Sequence, residues 1–286
     1  MKKKLLAMLS LVITGAVILT GCAGGEQSAA APTPTPTPAE STPAPQDNSA
    51  QESRGSWAGR TIVMGTNAEF PPFEFIADNN EGIWGRYDGV DIAIAVRIAE
   101  HLGADLEILD MPFDGLIMAL AAGQVDFVAA ALTVTEERSR QVDFSIPYYN
   151  AYQTILVSAD NDTVHSATDI YGAIVGVQLG TTGDFAASDM EGVEVMRYSR
   201  AVDAIIPLLN GQIDAIMVDS ITAQFFDEAH PGQLRIVSDS EYFGYEQYAI
   251  AIGQGNPELV EAINEVLTEM INNGEISALV AYYAAN

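Results

Sequence analysis

The sequence has a single cysteine, and no lysine follows the three near its amino terminus. One cysteine, Cys22, excludes an internal disulfide bond. The three histidines, His101, His165 and His230, are far apart and fall where solvated or structural roles are expected. No phosphate-binding loop, catalytic cysteine or cluster of metal ligands can be recognised. We therefore expect neither a metal site nor another cofactor.

Positive charge is also scarce. Without the three N-terminal lysines, nine arginines face 39 acidic residues, so the processed chain would carry a net charge near −30. A body this acidic repels the phosphate backbone of nucleic acids, which excludes them as partners. The charge also favours solubility, although salt screens its field within about 8 to 10 Å.

The amino terminus, residues 1–21, is predicted to be a signal peptide. Three lysines precede an apolar run at residues 5–19, which is short for a bilayer span. The run Leu-Thr-Gly-Cys at residues 19–22 resembles the bacterial lipobox, after which Cys22 would become the lipidated first residue. This interpretation predicts an extracytoplasmic protein, lipid-anchored to the outer face of the cell membrane. The alternative is an ordinary signal peptide with an incidental cysteine.

Residues 22–56 are rich in alanine, proline, threonine and serine, and residues 32–38 alternate proline with threonine. They contain almost nothing apolar to bury, and alternating proline favours an extended, polyproline-like chain. We predict a disordered tether that begins at the lipidated Cys22 and holds the folded body away from the membrane.

About 230 residues remain, enough for two lobes. One phrase occurs twice in them, as Gly-Gln-Val-Asp at residues 123–126 and Gly-Gln-Ile-Asp at residues 211–214. Each copy follows a helical pattern, so its glycine is placed to end a helix in the left-handed conformation. Each copy also precedes an apolar strand with polar residues after it. We predict a duplicated unit, with a cleft where two such sheet edges face each other.

Strands and helices alternate through the body, which predicts an α/β fold. The predicted strands are residues 61–66, 106–109, 127–131, 174–179, 193–197, 215–218 and 249–252. The predicted helices are residues 90–102, 113–122 and 199–210, one that opens at 181–184, and one from Pro257 to Asn273.

Six segments of the body form motifs in a fixed order: residues 65–75, 89–91, 132–138, 142–149, 176–183 and 214–219. Together they resemble the bacterial extracellular solute-binding proteins for polar amino acids, which serve ABC importers. The resemblance covers residues 61–283. It implies a two-lobed fold of the type II periplasmic-binding-protein kind, with hinge crossings near residues 150–152 and 246–248.

The resemblance also implies which residues form each of the two lobes. Residues 57–150 and 248–286 would form lobe 1, and residues 151–247 would form lobe 2. A monomer of this kind would close on a free L-amino acid and deliver it to the permease of an ABC transporter.

An amino acid carries a carboxylate and an ammonium on one carbon, so its site needs a cation and an anion close together in a dry cleft. Arg138 and Asp219 are the candidates, because the arginine fork gives a carboxylate two parallel hydrogen bonds. The family resemblance agrees with both residues. Two alternatives stay open: Arg138 as a solvated charge on a helix face, and Asp219 as the cap of the helix after its strand.

Other contacts follow from positions in the motifs. Thr133 would offer its hydroxyl to the ammonium and its backbone amide to the carboxylate. Thr182, beside Thr181 at a helix amino end, would donate a second backbone amide. The resemblance places the following residues around the ligand side chain: the aromatic walls Phe70 and Phe113, with Asn67, Ala130, Ala131, Gln178 and Val218.

The two amides, Asn67 and Gln178, predict a ligand with a neutral polar side chain. Many relatives have aspartate where Asn67 stands. Glu69 lies near enough to keep arginine or lysine open as an alternative ligand.

An enzyme is the rival from another functional class, since a few cyclohexadienyl or arogenate dehydratases use the same fold. Such chemistry needs an acid or base beside the bound carboxylate, and the predicted pocket contains no histidine. We therefore expect a binding protein without enzymatic activity. A sensor that serves no transporter is a further alternative.

Overall fold

The computed structural model describes residues 57–285, which lie within one compact unit. The predictions for the signal peptide, Cys22 and the tether concern residues outside this range. No helix among the described residues is both long and apolar enough to cross a bilayer.

The described residues form fifteen strands and nine α-helices, interrupted by short 3₁₀ turns. The strands are β1 (Thr61–Thr66), β2 (Glu69–Phe70), β3 (Glu74–Ile76), β4 (Tyr87–Asp88), β5 (Asp105–Asp110), β6 (Phe127–Val128), β7 (Val142–Phe144), β8 (Tyr149–Ala151), β9 (Gln153–Ser158), β10 (Ile174–Gln178), β11 (Glu194–Tyr198), β12 (Ala215–Asp219), β13 (Leu234–Ser238), β14 (Glu246–Tyr248) and β15 (Ala251–Gly253). The helices are α1 (Val90–Leu102), α2 (Leu116–Ala121), α3 (Glu136–Ser139), α4 (Thr182–Asp189), α5 (Ile205–Leu209), α6 (Ser220–Ala229), α7 (Ser240–Phe243), α8 (Pro257–Asn272) and α9 (Glu275–Ala284).

Each lobe is built around a five-stranded sheet. In the first, the order is β5-β1-β6-β15-β7, with β1 parallel to β5 and β6 and with β15 antiparallel to both of its neighbours. In the second, the order is β11-β10-β12-β9-β13, and β9 is the antiparallel member. Strand β15 comes from the C-terminal part of the chain, so the chain returns to the first sheet after it has built the second.

The chain crosses between the lobes in two extended segments that pair with each other. Strands β8 and β14 form a two-stranded antiparallel sheet in which Tyr149 faces Tyr248. Thr133 adds a single bridge to Tyr248. Both crossings therefore lie side by side at the back of the cleft.

The repeated phrase has the same geometry in both lobes. Its glycine has φ of 68° in the first copy and 66° in the second, and each ends a helix. The aspartate of each copy accepts a hydrogen bond of 2.8 Å from a backbone amide of an inner strand, Val63 for Asp126 and Ile174 for Asp214. In turn, the backbone amide of each aspartate donates a hydrogen bond to the carbonyl oxygen of the same strand residue. The prediction of a duplicated unit is confirmed.

Several predicted element boundaries were wrong. Strand β6 ends at Val128 and not at the predicted Ala131, where the backbone has a φ of 45°. Strand β15 begins two residues later than the predicted 249–252. The helical patterns at 113–122 and 199–210 each open with a 3₁₀ turn before a short α-helix. The predicted bounds of β1 and α1 are confirmed.

The core of the first lobe lies between its sheet and two long helices. Helix α1 is buried along nearly all of its length and packs against α8, which buries Leu259, Ile263, Leu267 and Met270. Asn256 caps α8 by accepting from the amide of Leu259. This packing gives the cleft a rigid floor on the side of the first lobe.

Candidate functional site

Arg138 lies in the cleft and is only 7% exposed. Thr135 caps the short helix α3 by accepting a hydrogen bond from the backbone amide of Arg138. The guanidinium donates to the carbonyl of Thr133 at 2.7 Å and to the carbonyl of Gly180, in the second lobe, at 3.1 Å. It also lies 5.4 Å from the centre of the Phe113 ring. The helix cap, the Phe113 ring and the two carbonyl groups fix the orientation of the guanidinium. The alternative of a solvated charge on a helix face is therefore wrong for Arg138.

Burial lowers the pKa of Arg138 to about 10, even though the charges of Glu246 and Asp219 act to raise it. The guanidinium therefore stays protonated at neutral pH. It forms a fixed positive charge in a site largely closed to water.

Asp219 is the last residue of β12, at the cap position of helix α6, but its side chain makes no capping hydrogen bond. The carboxylate accepts instead from the amide group of Gln153. Burial, and then the charge of Glu246, raise the pKa of Asp219 to about 7, although the hydrogen bond from Gln153 and the charge of Arg138 act to lower it. The side chain thus faces the cleft, and the alternative role as a helix cap is not seen.

The three threonines of the predicted site differ in their partners. Thr133 and Thr182 each donate a hydroxyl hydrogen bond of 2.8 Å to the same atom, Oε2 of Glu246. Thr181 caps helix α4 through the amide of Asp184 and donates to a backbone carbonyl. Thr181 therefore shapes the helix amino end, whereas the other two hydroxyls meet at one carboxylate.

The two predicted amides contact each other. Gln178 Nε2 donates to Asn67 Oδ1 at 2.8 Å and to the carbonyl of Ser199 at 3.2 Å. Asn67 donates to the carbonyl of Met111 at 3.0 Å. Because Asn67 belongs to the first lobe and Gln178 to the second, this contact closes one side of the cleft.

A cavity of about 10 Å³ lies between these side chains, which is room for about one water molecule. Seven of the predicted site residues line it, together with Glu74: Asn67, Phe70, Phe113, Ala130, Ala131, Gln178 and Thr181. A free amino acid is several times larger, so the lobes must separate, or side chains must move, before one can enter.

Arg138, Asp219, Thr133 and Thr182 do not line this cavity directly; their hydrogen bonds bring them together beside it. Val218, the remaining predicted contact, is buried at the end of β12. The structure thus gathers the predicted ligand-site residues in and around one cleft, except Val218, which lies in the hydrophobic core.

Two buried acids at the cavity were not anticipated: Glu74, which lines it, and Asp91, which binds the lining residue Ala131. Asp91 accepts from the amide of Ala131 at 2.8 Å and from the hydroxyl of Tyr148 at 2.7 Å, which holds Ala131 in its unusual conformation. Burial raises the pKa of Asp91 to about 6. Burial, and then the charge of Asp91, raise the pKa of Glu74 well above its ordinary value. Both acids lie in the quoted motifs, so their positions were visible but their burial was not.

Glu69, which kept a cationic ligand open, is already paired. Its carboxylate lies 3.3 Å from the guanidinium of Arg200, which also pairs with Asp203. The pair crosses the rim of the cleft, because Arg200 belongs to the second lobe. Glu69 therefore offers little free charge to a ligand side chain.

No group of three or more histidine, cysteine, aspartate or glutamate side chains within residues 57–285 is placed to hold a metal ion. A broad groove along α8 is lined mainly by acids and small polar residues and contains no arginine. The cleft is the place where the described residues combine opposite charges, aromatic rings and amides.

Residues 62–286 match the family described as bacterial extracellular solute-binding proteins, family 3. The arginine-binding extracellular protein ArtP of Bacillus subtilis (strain 168) is 32% identical over 231 residues, which cover 79% of this chain and 87% of that protein.

Two solved structures of amino acid-binding proteins are also similar to this chain. The substrate binding protein of an amino acid ABC transporter is 39% identical with a TM-score of 0.73, and the match covers 79% of this chain and 100% of that one. The ancestral amino acid-binding protein AncCDT-1, a precursor of cyclohexadienyl dehydratase, is 33% identical with a TM-score of 0.72, covering 82% and 98% of the two chains.

Proposed function

The chain belongs to the bacterial extracellular solute-binding proteins, family 3, and we propose that it captures a polar amino acid between its lobes for an ABC importer. The observation that carries this proposal is a buried cation, Arg138, beside a half-buried acid, Asp219. Arg138 and Asp219 lie close enough for each charge to shift the pKa of the other. Arg138 would hold the ligand carboxylate and Asp219 the ammonium.

The backbone around these charges suits the same ligand. Thr182 is the first residue of helix α4, where backbone amides lack partners within the helix and the dipole favours an anion. The ligand carboxylate would lie between this helix end and the guanidinium. Phe70 and Phe113 would cover the ligand from the side of the first lobe.

For the ligand side chain we propose a neutral polar group. Asn67 and Gln178 supply amide donors and acceptors in the lining of the cavity, and the charge of Glu69 is engaged by Arg200. A ligand amide or hydroxyl could take over the hydrogen bond that now joins Asn67 to Gln178.

Arginine is the second candidate ligand, supported by two observations. ArtP, to which this chain is similar, is an arginine-binding protein. In addition, the buried carboxyl group of Glu74 lines the same cavity, although its raised pKa favours the uncharged form. A guanidinium that reached Glu74 would have to bring that pKa down.

We propose that the protein is not an enzyme, although its fold is shared with a dehydratase precursor. The described histidines are engaged elsewhere: His101 with Glu265 at 3.1 Å, His165 with a loop carbonyl and His230 with the carbonyl of Phe226. Glu74 is the one cavity-lining acid, and turnover of prephenate or arogenate by the purified protein would contradict the proposal.

The remaining parts of the proposal concern the chain outside the cleft. The signal peptide and the lipid on Cys22 would anchor the protein to the outer face of the cell membrane, and residues 22–56 would serve as the tether. The two lobes would comprise residues 57–150 with 248–286, and residues 151–247. The protein would act as a monomer that docks on its permease.

A thermal-shift screen against the common amino acids tests the function. A ligand that binds only the folded state raises its stability by RT ln(1 + [L]/Kd), about 4 kcal/mol at a thousandfold excess over Kd. We expect at least one neutral polar amino acid to raise the melting temperature and aspartate and glutamate to leave it unchanged. The Arg138→Ala variant is the control, and shifts with acidic ligands alone would reject the proposed pocket.

A further inference from the structure

One carboxylate that no motif singled out joins the two lobes. Glu246 is the first residue of the crossing strand β14, and its Oε2 atom accepts hydrogen bonds of 2.8 Å from Thr133 Oγ1 and Thr182 Oγ1. Thr133 comes from the segment that follows β6 in the first lobe, and Thr182 opens α4 in the second. A single oxygen atom on the hinge therefore binds a side chain from each lobe.

The same carboxylate lies beside Asp219. The amide nitrogen of Gln153 donates to Asp219 Oδ1 and lies 3.4 Å from Glu246 Oε2, so one amide bridges the two acids. Among the acids that act on Arg138, Glu246 raises its pKa most, ahead of Asp219. Glu246 is also the charge that most raises the pKa of Asp219. It thus stands close to both ends of the proposed ligand site.

Two carboxylates beside one guanidinium leave an excess of negative charge. An ammonium group has three N–H donors, and a buried donor without an acceptor is costly. Asp219, Glu246 and the hydroxyl oxygen of Thr133 provide three acceptors that are linked through the Gln153 amide and the bond from Thr133 to Glu246. A positive charge placed among them also relieves the repulsion between the two acids.

We propose that Glu246 is a second carboxylate of the ammonium subsite, so that the positive charge on the ligand's amino group becomes a condition for tight binding. This inference rests on the proposed function and concerns the same cleft. It adds a specificity-determining residue on the hinge to the lobe residues Arg138 and Asp219.

Calorimetry on the full-length protein in detergent tests the inference with two ligands. One is the amino acid that gives the largest thermal shift, and the other is its 2-hydroxy acid, which carries a hydroxyl in place of the ammonium and is measured by competition. Glu246→Gln should weaken amino-acid binding by at least about tenfold, because the change removes one of the two carboxylate charges that would face the ammonium. Binding of the 2-hydroxy acid should change by less than about threefold, because it has no ammonium to lose a partner.

Glu241→Gln is the matched control, since Glu241 is an exposed acid in the preceding helix. It should bind both ligands like the wild type. Equal losses for both ligands in Glu246→Gln would show that Glu246 only shapes the cleft, and unchanged amino-acid binding would show no role; either result overturns the inference alone. A wild-type protein that binds no amino acid would overturn the proposed function and this inference together.

Discussion

The side-chain amides of Asn67 and Gln178 share a hydrogen bond of 2.8 Å although the residues are 111 positions apart in the chain. The bond spans the two lobes, and each amide is also fixed by a backbone carbonyl of its own lobe. These two side chains therefore face each other with fixed orientations. A ligand side chain that enters between them meets a donor and an acceptor already in place.

Replacing either amide should alter ligand preference more than ligand affinity. Asn67→Ala and Gln178→Ala each remove about one hydrogen bond, which is worth about 1 kcal/mol net, or roughly a fivefold loss. Calorimetry with a panel of polar amino acids should show a changed order of affinities. Gln233→Ala, at an exposed amide outside the cleft, is the control. An unchanged order of affinities in both cleft variants would mean that the two amides do not determine which ligand side chain is preferred.

Removing the side chain of Arg138 or of Asp219 should weaken ligand binding far more than removing either amide. Truncating one member of a desolvated, hydrogen-bonded charge pair costs about 2 to 5 kcal/mol, because the other charge is left without compensation. Arg138→Ala and Asp219→Ala should thus each weaken binding by roughly thirtyfold to several thousandfold. Arg140→Ala should bind normally, since Arg140 is exposed and pairs with Glu136 on the surface of the same helix. Wild-type affinity in either cleft variant, measured by calorimetry, would remove amino-acid recognition from this site.

Stability of the ligand-free protein should fall as pH rises towards neutrality. Burial raises the pKa of Asp219 to about 7, and the same group in an unfolded chain titrates near about 3.9. Between these values the folded state binds more protons than the unfolded state, so the free energy of unfolding decreases with increasing pH. Urea unfolding at pH 5 and pH 8 measures the decrease. Asp219→Asn should show a smaller decrease than the wild type, and an equal one would contradict the assignment.

Gly180 should be required for closure of the cleft. Its φ of +78° disfavours any side chain, and a Cβ atom there would come within 3.1 Å of the Cβ of Asp114 in the first lobe. Gly180→Ala should therefore weaken ligand binding by roughly fivefold or more, because forcing a methyl group into a close-packed contact costs about 1 to 3 kcal/mol, and this cost arises only when the lobes are closed. The strain of the left-handed backbone is the same in the open and closed states, so it lowers stability and not affinity. Gly172→Ala is the matched control, because Gly172 has φ of +77° with no atom near a Cβ. If both variants lose stability but bind ligand equally well, closure does not depend on Gly180.

The anchor can be tested separately from the cleft. Cys22→Ser should release the protein from the membrane fraction while ligand affinity stays unchanged, because the proposed tether places the lipid outside the folded body. Fractionation after detergent-free washing, with calorimetry on the released protein, measures both effects. A serine variant that stays with the membrane would show that Cys22 is not the anchor.

The elements predicted well from sequence are those whose signals are local. The glycine and aspartate of each repeated phrase act within a few residues or on the neighbouring strand, so the duplicated unit could be recognised from four letters. The helix α1 was likewise bounded correctly, since Gly89 and Gly103 flank its apolar pattern. Strand β6 was predicted too long because its apolar run continues to Ala131, where the backbone has a positive φ and the amide binds Asp91, 40 positions earlier in the chain.

The same distinction applies to the site. Arg138 follows a local helix cap and Asp219 ends a strand, and both lie in motifs of the family resemblance, so both could be chosen from the sequence. No local sequence signal identifies Gln153 or Glu246, because their role depends on two chain crossings that meet only in the folded protein. The mutual contact of Asn67 and Gln178 was missed for the same reason: each predicted side chain was treated as facing a ligand, not its counterpart.

The pairing of β8 with β14 limits how the lobes can move. Because the two crossing strands are hydrogen-bonded side by side, a twist in one is passed to the other, and the back of the molecule bends as a single flexure about one line. Poses in which only one crossing has bent would break that ladder and are disfavoured. We therefore expect opening to be one collective rotation of the lobes about the paired crossings, so that release of a ligand waits for a single event.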